Sequence, residues 1–254
     1  MARMLALKGS AVYGPVASRR LGASLGINVL PSAGKACTLD CVYCQYGWTR
    51  WHRLDELAAL DFPSPAAILD QVAGALGRLA TPPAYLTFSG NGEPTLHPEF
   101  PALVDGIIAL RDRLAPSAHT AILSNSSRVP EPSVRAALAR LDARIMKLDC
   151  GIEATFRSFN RPCAGVTLAG IAAALRDLGG VTIQALFAGG AGGNAGDGEV
   201  AAWAALVAGI RPVAVQIYTL DRGWPGRDLE PLPPERLLGI RDVLLRHGLR
   251  GEVF

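Results

Sequence analysis

The sequence predicts an α/β protein built on a parallel sheet, and two observations carry that prediction. Short β-branched runs alternate six times with helix-length amphipathic runs, the pattern of βα units joined by right-handed crossovers. The residues richest in chemistry stand directly after the strand candidates, where ligands sit in parallel α/β folds.

In chain order the strand candidates are Ser24–Leu30, Tyr85–Ser89, His119–Leu123, Ala143–Asp149, Val181–Phe187 and Val213–Thr219. The first helix, Ser64–Leu79, opens with a capping serine and a proline at the first helical position. Pro98–Leu114 follows the second strand and Glu131–Leu141 the third. Gly165–Leu178 precedes the fifth strand, Asp197–Ala208 follows it, and Pro233–His247 is the last helix. Six such units fit a barrel or an open doubly wound sheet, and periodicity leaves both open. The Gly-rich run 188–198 follows the fifth strand and reads as a flexible loop where a substrate lid could lie.

A chain of 254 residues, half of them hydrophobic, is expected to form one domain spanning 1–254. Its core should bury about 70–75% of the unfolded surface. A net charge of +3 and a pI near 8.7 lack the basic footprint of a dedicated nucleic-acid binder, though an anionic substrate fits. Neither a signal-peptide pattern nor a membrane-length apolar run occurs, so a cytoplasmic location with reduced thiols is expected.

Five cysteines, three of them in the run Cys37-Thr-Leu-Asp-Cys41-Val-Tyr-Cys44, make a poor disulfide framework. Three thiolates in one short loop suit a soft metal, an iron–sulfur cluster or zinc. Structural zinc wants four closed ligands, and His97 and His119 lie far from the loop in sequence. A cubane on three cysteines leaves one iron open to a further ligand. Chance clustering of small apolar cysteines is the plain alternative.

The spacing Cys-x3-Cys-x-aromatic-Cys, with Tyr43 at the aromatic position, resembles the signature of the radical S-adenosylmethionine (SAM) superfamily. The resemblance implies one four-iron–four-sulfur cluster on Cys37, Cys41 and Cys44, with SAM chelating the open iron. It implies reductive SAM cleavage to a 5′-deoxyadenosyl radical that abstracts hydrogen from a substrate. It also implies an electron donor such as a flavodoxin or ferredoxin. The implied fold is a partial TIM barrel, (βα)6, which tips the choice between barrel and open sheet.

Other motifs follow the strands in the same order. After the second strand, Gly90-Asn91-Gly92-Glu93-Pro94 offers close backbone approach and a carboxylate acceptor, and it also fits an ordinary Gly-rich turn. It resembles the superfamily's Gly-Gly-Glu-Pro motif, so Gly92 and Glu93 are implied to hold the SAM amino group. His97 reads as a helix-start histidine with a local hydrogen bond. Ser124 and Asn125 end the third strand, as ribose contacts or as a capping turn.

On the fourth strand, alternation places Lys147 and Asp149 on one face, where two charges pointing inward need each other or a ligand. Asn160 and Arg161 lie in a segment resembling one that meets the SAM carboxylate. Gln216 and Tyr218 share a face of the sixth strand. Cys150 and Cys163 are too few for a second cluster and read as buried free thiols.

The start Tyr13-Gly-Pro-Val-Ala-Ser-Arg-Arg-Leu-Gly, joined to these motifs, looks like stand-alone bacterial and archaeal radical SAM proteins related to the wyosine-synthesising tRNA enzymes. Those enzymes use further cysteines that this chain lacks. Arg19-Arg20 reads as a solvated pair below the first strand, or as a phosphate or partner contact. Trp48-Thr-Arg-Trp-His52 reads as a shield for the cluster, or as a base-stacking patch. The substrates allowed are a small molecule, a nucleoside or RNA. Two further readings are an activase that installs a glycyl radical on a partner protein and a non-catalytic iron–sulfur or zinc module.

Overall fold

The computed structural model describes residues 4–254. Its single sheet has eight strands in sequential order: β1 (Val12–Ser18), β2 (Gly22–Ile27), β3 (Tyr85–Phe88), β4 (His119–Ser124), β5 (Ala143–Lys147), β6 (Thr182–Leu186), β7 (Ala214–Tyr218) and β8 (Gly251–Val253). β2 to β8 are parallel, whereas β1 runs antiparallel to β2. The six predicted strands are therefore all present, with an unforeseen strand at each edge. The first predicted strand starts two residues earlier, and Arg19-Arg20 turns between β1 and β2 instead of preceding the sheet.

The outer face of the sheet is apolar and covered by helices. Leu86 and Phe88, Ile183 and Ala185, and Val215 and Ile217 alternate outward and are almost wholly buried. They meet Ile68 and Val72 of α1 (Pro65–Leu76), Phe100 and Ile107 of α2 (Phe100–Leu114), and Trp203 and Val207 of α3 (Asp197–Ile210). Ser64 caps α1 by accepting from the Ala67 N–H at 3.3 Å, with Pro65 at the first helical position.

The residues between those outward positions face inward, and many are polar: Thr87, Lys147, Gln184, Gln216 and Tyr218. Sheet curvature makes that inner face concave. The guanidinium of Arg20, in the turn at one edge, lies 4.7 Å from the ring centroid of Phe254, just beyond β8 at the other edge. The two edges thus come back together without pairing, a partial barrel. No helix among the described residues is long and apolar enough to cross a membrane.

The Gly-rich run 188–198 is not a loose lid. Asn194 donates from Nδ2 to the carbonyls of Asp149 and Leu186, at 2.8 and 2.9 Å, and its Oδ1 accepts from the Ala188 N–H. Gly190 has φ +84°, and a Cβ there would meet the Asp228 carbonyl at 2.2 Å. The glycines allow backbone to pack on backbone.

Candidate cofactor site

The cysteine loop leaves the carboxyl end of β2 and lies across the barrel mouth. Backbone bonds fix it to three other segments. The Ala36 carbonyl accepts from Glu93 N–H at 2.9 Å, the Asn160 carbonyl from Asp40 N–H at 3.0 Å, and the Val42 carbonyl from Gly226 N–H at 2.8 Å. Gly92 is where the second-strand loop touches the cysteine loop: its φ is +144°, and a Cβ would lie 1.8 Å from the Ala36 oxygen. Its glycine requirement comes from this contact between loops. Asn91 is a staple, donating from Nδ2 to the Lys8 and Pro31 carbonyls and accepting the Lys8 N–H.

Beneath the loop is a residue that sequence reasoning missed. Lys35 is buried, and its Nζ donates to Asp40 Oδ1 at 3.2 Å and to the Gly47 carbonyl at 2.8 Å. Burial by itself lowers its pKa, but the three cysteines and Asp40 more than offset that, so the ammonium persists. Burial pushes the Cys37 thiol up to about 12 and the Cys41 thiol up to about 11. Thiolates here would form on metal binding, with release of their protons.

Two asparagine amides aim at these sulfurs. Asn125 Nδ2 donates to Cys37 Sγ at 3.3 Å and to Thr38 Oγ1 at 2.9 Å. Asn160 Nδ2 donates to Cys41 Sγ at 3.3 Å. Asn160 is delivered by one turn of π-helix, Phe156–Asn160, after which Arg161 takes a left-handed conformation with φ 47°. The two asparagines face the cysteine loop, and the Asn125 amide is engaged by Cys37, Thr38 and the Ser127 N–H. Arg161 lies over the exposed Trp48 ring at 4.7 Å and reaches Asp40 only at 3.9 Å. Trp48 is therefore at the surface, while Trp51 packs on Gly34.

Glu93 is fully enclosed, which raises its pKa above the usual carboxylate range. Its Oε1 accepts from Thr95 N–H, Thr95 Oγ1 and Ser124 Oγ, and its Oε2 from Asn125 N–H at 2.5 Å. Oε2 keeps one acceptor position open, enough for an ammonium. Ser124 and Asn125 thus position Glu93. His97 is structural as expected: Nε2 bonds the Pro63 carbonyl at 2.9 Å and Nδ1 accepts from Glu99 N–H at 3.1 Å.

Lys147 and Asp149 do share a face, 3.0 Å apart. Asp149 also accepts from Leu186 N–H, Asn160 Nδ2 and the Tyr43 hydroxyl. Lys147 Nζ donates to Tyr218 Oη at 2.6 Å and lies 5.0 Å from the Tyr43 ring centroid. Burial opposes its charge, yet Asp149 and Tyr218 hold its pKa above the ordinary lysine value. Cys150 and Cys163 are buried free thiols. A cleft of about 710 Å³ lined by Lys8, Trp51, Phe62 and Gln71 lies outside this cluster of contacts, and none of the three loop cysteines borders it.

This is an α/β architecture whose clustered polar residues lie across the carboxyl ends of parallel strands, where folds of this kind place their ligands. The family model of the radical SAM superfamily matches residues 32–194, and the chain belongs to that superfamily. The UPF0026 protein of Methanocaldococcus jannaschii is 40% identical over 151 residues, 59% of this chain and 44% of that protein. The chain spans between 21% and 55% of the length of the curated relatives it matches. A radical SAM methyltransferase from Sphaerobacter thermophilus has a similar fold, with TM-score 0.65 and 17% identity, over 91% of this chain and 65% of that one. TYW1, solved with a lysine–pyruvate adduct, has TM-score 0.58 and 16% identity, over 88% of this chain and 73% of that one.

Proposed function

We propose that the chain is an enzyme holding one four-iron–four-sulfur cluster on Cys37, Cys41 and Cys44, with the SAM amino group at Glu93. When bound, these cofactors supply an electron and a 5′-deoxyadenosyl radical that takes hydrogen from a substrate. A small carrier such as flavodoxin or ferredoxin delivers the electron. The observation that carries the reading is the pair of amides, Asn125 to Cys37 and Asn160 to Cys41, which reach two of the three sulfurs from the segments that follow the neighbouring strands β4 and β5. Donors of this kind orient sulfur ligands and tune a cluster's potential. Among the described residues no three His, Cys, Asp or Glu side chains converge as ligands of a single ion would.

The chain's own residues divide the remaining work. Glu93 offers one acceptor to an ammonium, and Ser124, Thr95 and Asn125 fix its rotamer. Lys35 places a positive charge under the thiolates. The inward polar face of β5 to β7 is where a substrate would lie. Lys147 is paired with Asp149 and donates to the Tyr218 hydroxyl at this face.

Anaerobic reconstitution tests the proposal. About four irons and four sulfides per chain are expected, with 5′-deoxyadenosine formed on reduction in the presence of SAM. About one zinc without sulfide, or an intact cluster that yields no 5′-deoxyadenosine, would overturn it.

A further inference from the structure

Arg20 is the cation that the account above leaves without a task. It sits in the turn between β1 and β2, outside the stretch matched by the family model. Its guanidinium carbon lies 4.5 Å from the Tyr218 ring centroid and 4.7 Å from that of Phe254. Its Nε is buried and has no hydrogen-bond partner. Among the described residues no carboxylate pairs with it; the neighbouring Asp221 is taken up by Arg19 at 3.5 Å, on the surface. Desolvation lowers its pKa, and Arg19 adds repulsion. Every other buried cation near the site is matched: Lys35 by Asp40, Lys147 by Asp149.

Aromatic rings satisfy the faces of a guanidinium and give its N–H groups, which point outward in the plane, no hydrogen-bond partner. That edge geometry suits the two oxygens of a carboxylate or phosphate. The position is right for a substrate as well. Tyr218 accepts from Lys147 Nζ, donates to Gln184 Oε1 at 3.5 Å, and Gln184 donates to Gln216 at 3.0 Å. The same Lys147 lies over Tyr43, the residue between Cys41 and Cys44. A continuous run of contacts, Arg20 to Tyr218 to Lys147 to Tyr43, thus crosses the barrel interior from the open seam to the cysteine loop.

We propose that Arg20, held flat by Tyr218 and Phe254, anchors an anionic group of the substrate, a carboxylate or phosphate, at the seam of the barrel. The substrate body then extends over Tyr218 towards the cofactor site. This rests on the radical SAM reading for what the anchored molecule undergoes, but the anion site itself can be tested separately.

The test uses cluster-loaded, full-length protein and phenylglyoxal, which modifies arginine, with peptide mapping by mass spectrometry. Inorganic phosphate and malonate are the two probes, with sodium chloride at matched ionic strength as control. Arg20 is expected to be protected by at least one anion by about tenfold in labelling rate, as tight occupancy of a bidentate site requires. Exposed Arg53 is expected to label equally throughout. Protection by phosphate alone assigns a phosphate group, by malonate alone a carboxylate, and by both a site that accepts either. In calorimetric titration the favoured anion should bind the R20K variant more weakly than wild type and R20Q not at all. Equal labelling of Arg20 with and without both anions, or undiminished binding by a folded R20Q, would overturn the proposal. Formation of 5′-deoxyadenosine by the same wild-type preparation reports on the radical SAM reading independently.

Discussion

The two halves of the barrel mouth are built differently. On the cysteine side, formed by the 37–44 loop with the ends of β3 and β4, the polar groups are paired: Glu93 accepts four hydrogen bonds, Lys35 has Asp40 and Gly47, and the asparagine amides reach sulfur. On the seam side, formed by β7, β8 and the β1–β2 turn, Arg20 is half-buried with an orphaned N–H. The family model covers the first side and stops before the second. On the proposed roles, the cofactor meets a site whose own parts hold it ready, and the substrate anion meets a group left unsatisfied until it arrives.

The largest effect should fall on the prebuilt side. C41S replaces a soft sulfur ligand by a hard oxygen, and iron retained per chain after reconstitution is expected to collapse; retention equal to wild type would break the assignment. Next is D149N, which leaves Lys147 as a buried cation without its counter-charge. Loss of one partner of a buried pair costs about 3–5 kcal/mol, to be read from urea unfolding. G92A drives a methyl into the Ala36 carbonyl at a φ that L residues resist, and about 2–4 kcal/mol should be lost. Iron retention should fall with it, because the displaced atom belongs to the residue before Cys37.

A smaller effect is pH-dependent. Burial lowers the His97 pKa below its ordinary 6.5. The folded state therefore binds this proton more weakly than the unfolded chain. The stabilisation is full above 6.5 and is lost as pH falls from there through the lowered folded value. Urea unfolding compared at about pH 7.5 and about pH 5.5 should show a steeper loss in wild type than in H97Q. The smallest change belongs to the seam. R20Q removes a charge that has no counter-charge to lose, so stability should shift by about 1 kcal/mol or less. A loss as large as that of D149N would erase the contrast between the halves.

What the sequence revealed follows the same division. The six parallel strands and their helices were legible because outward-facing Leu86 and Phe88, or Val215 and Ile217, impose their alternation locally. β1 was not, since Val12–Ser18 holds a Gly-Pro pair and lies largely exposed at the sheet edge. β8 is only three residues long. The cysteines and Glu93 could be found because their motifs are contiguous. Asn125 and Asn160 were selected, but their contacts to sulfur were not foreseen, because those partners lie 88 and 119 residues away. Lys35 had one available signal: it and Lys147 are two of only three lysines in an arginine-rich chain. Both ammonium groups are buried and paired with an aspartate.

An iron–sulfur site with one iron open to SAM has a spectroscopic signature in the reduced, cluster-loaded protein. Electron paramagnetic resonance recorded with and without SAM should give a four-iron cluster signal whose shape changes when SAM is added to wild type. A cluster signal identical in the presence and absence of saturating SAM would contradict it.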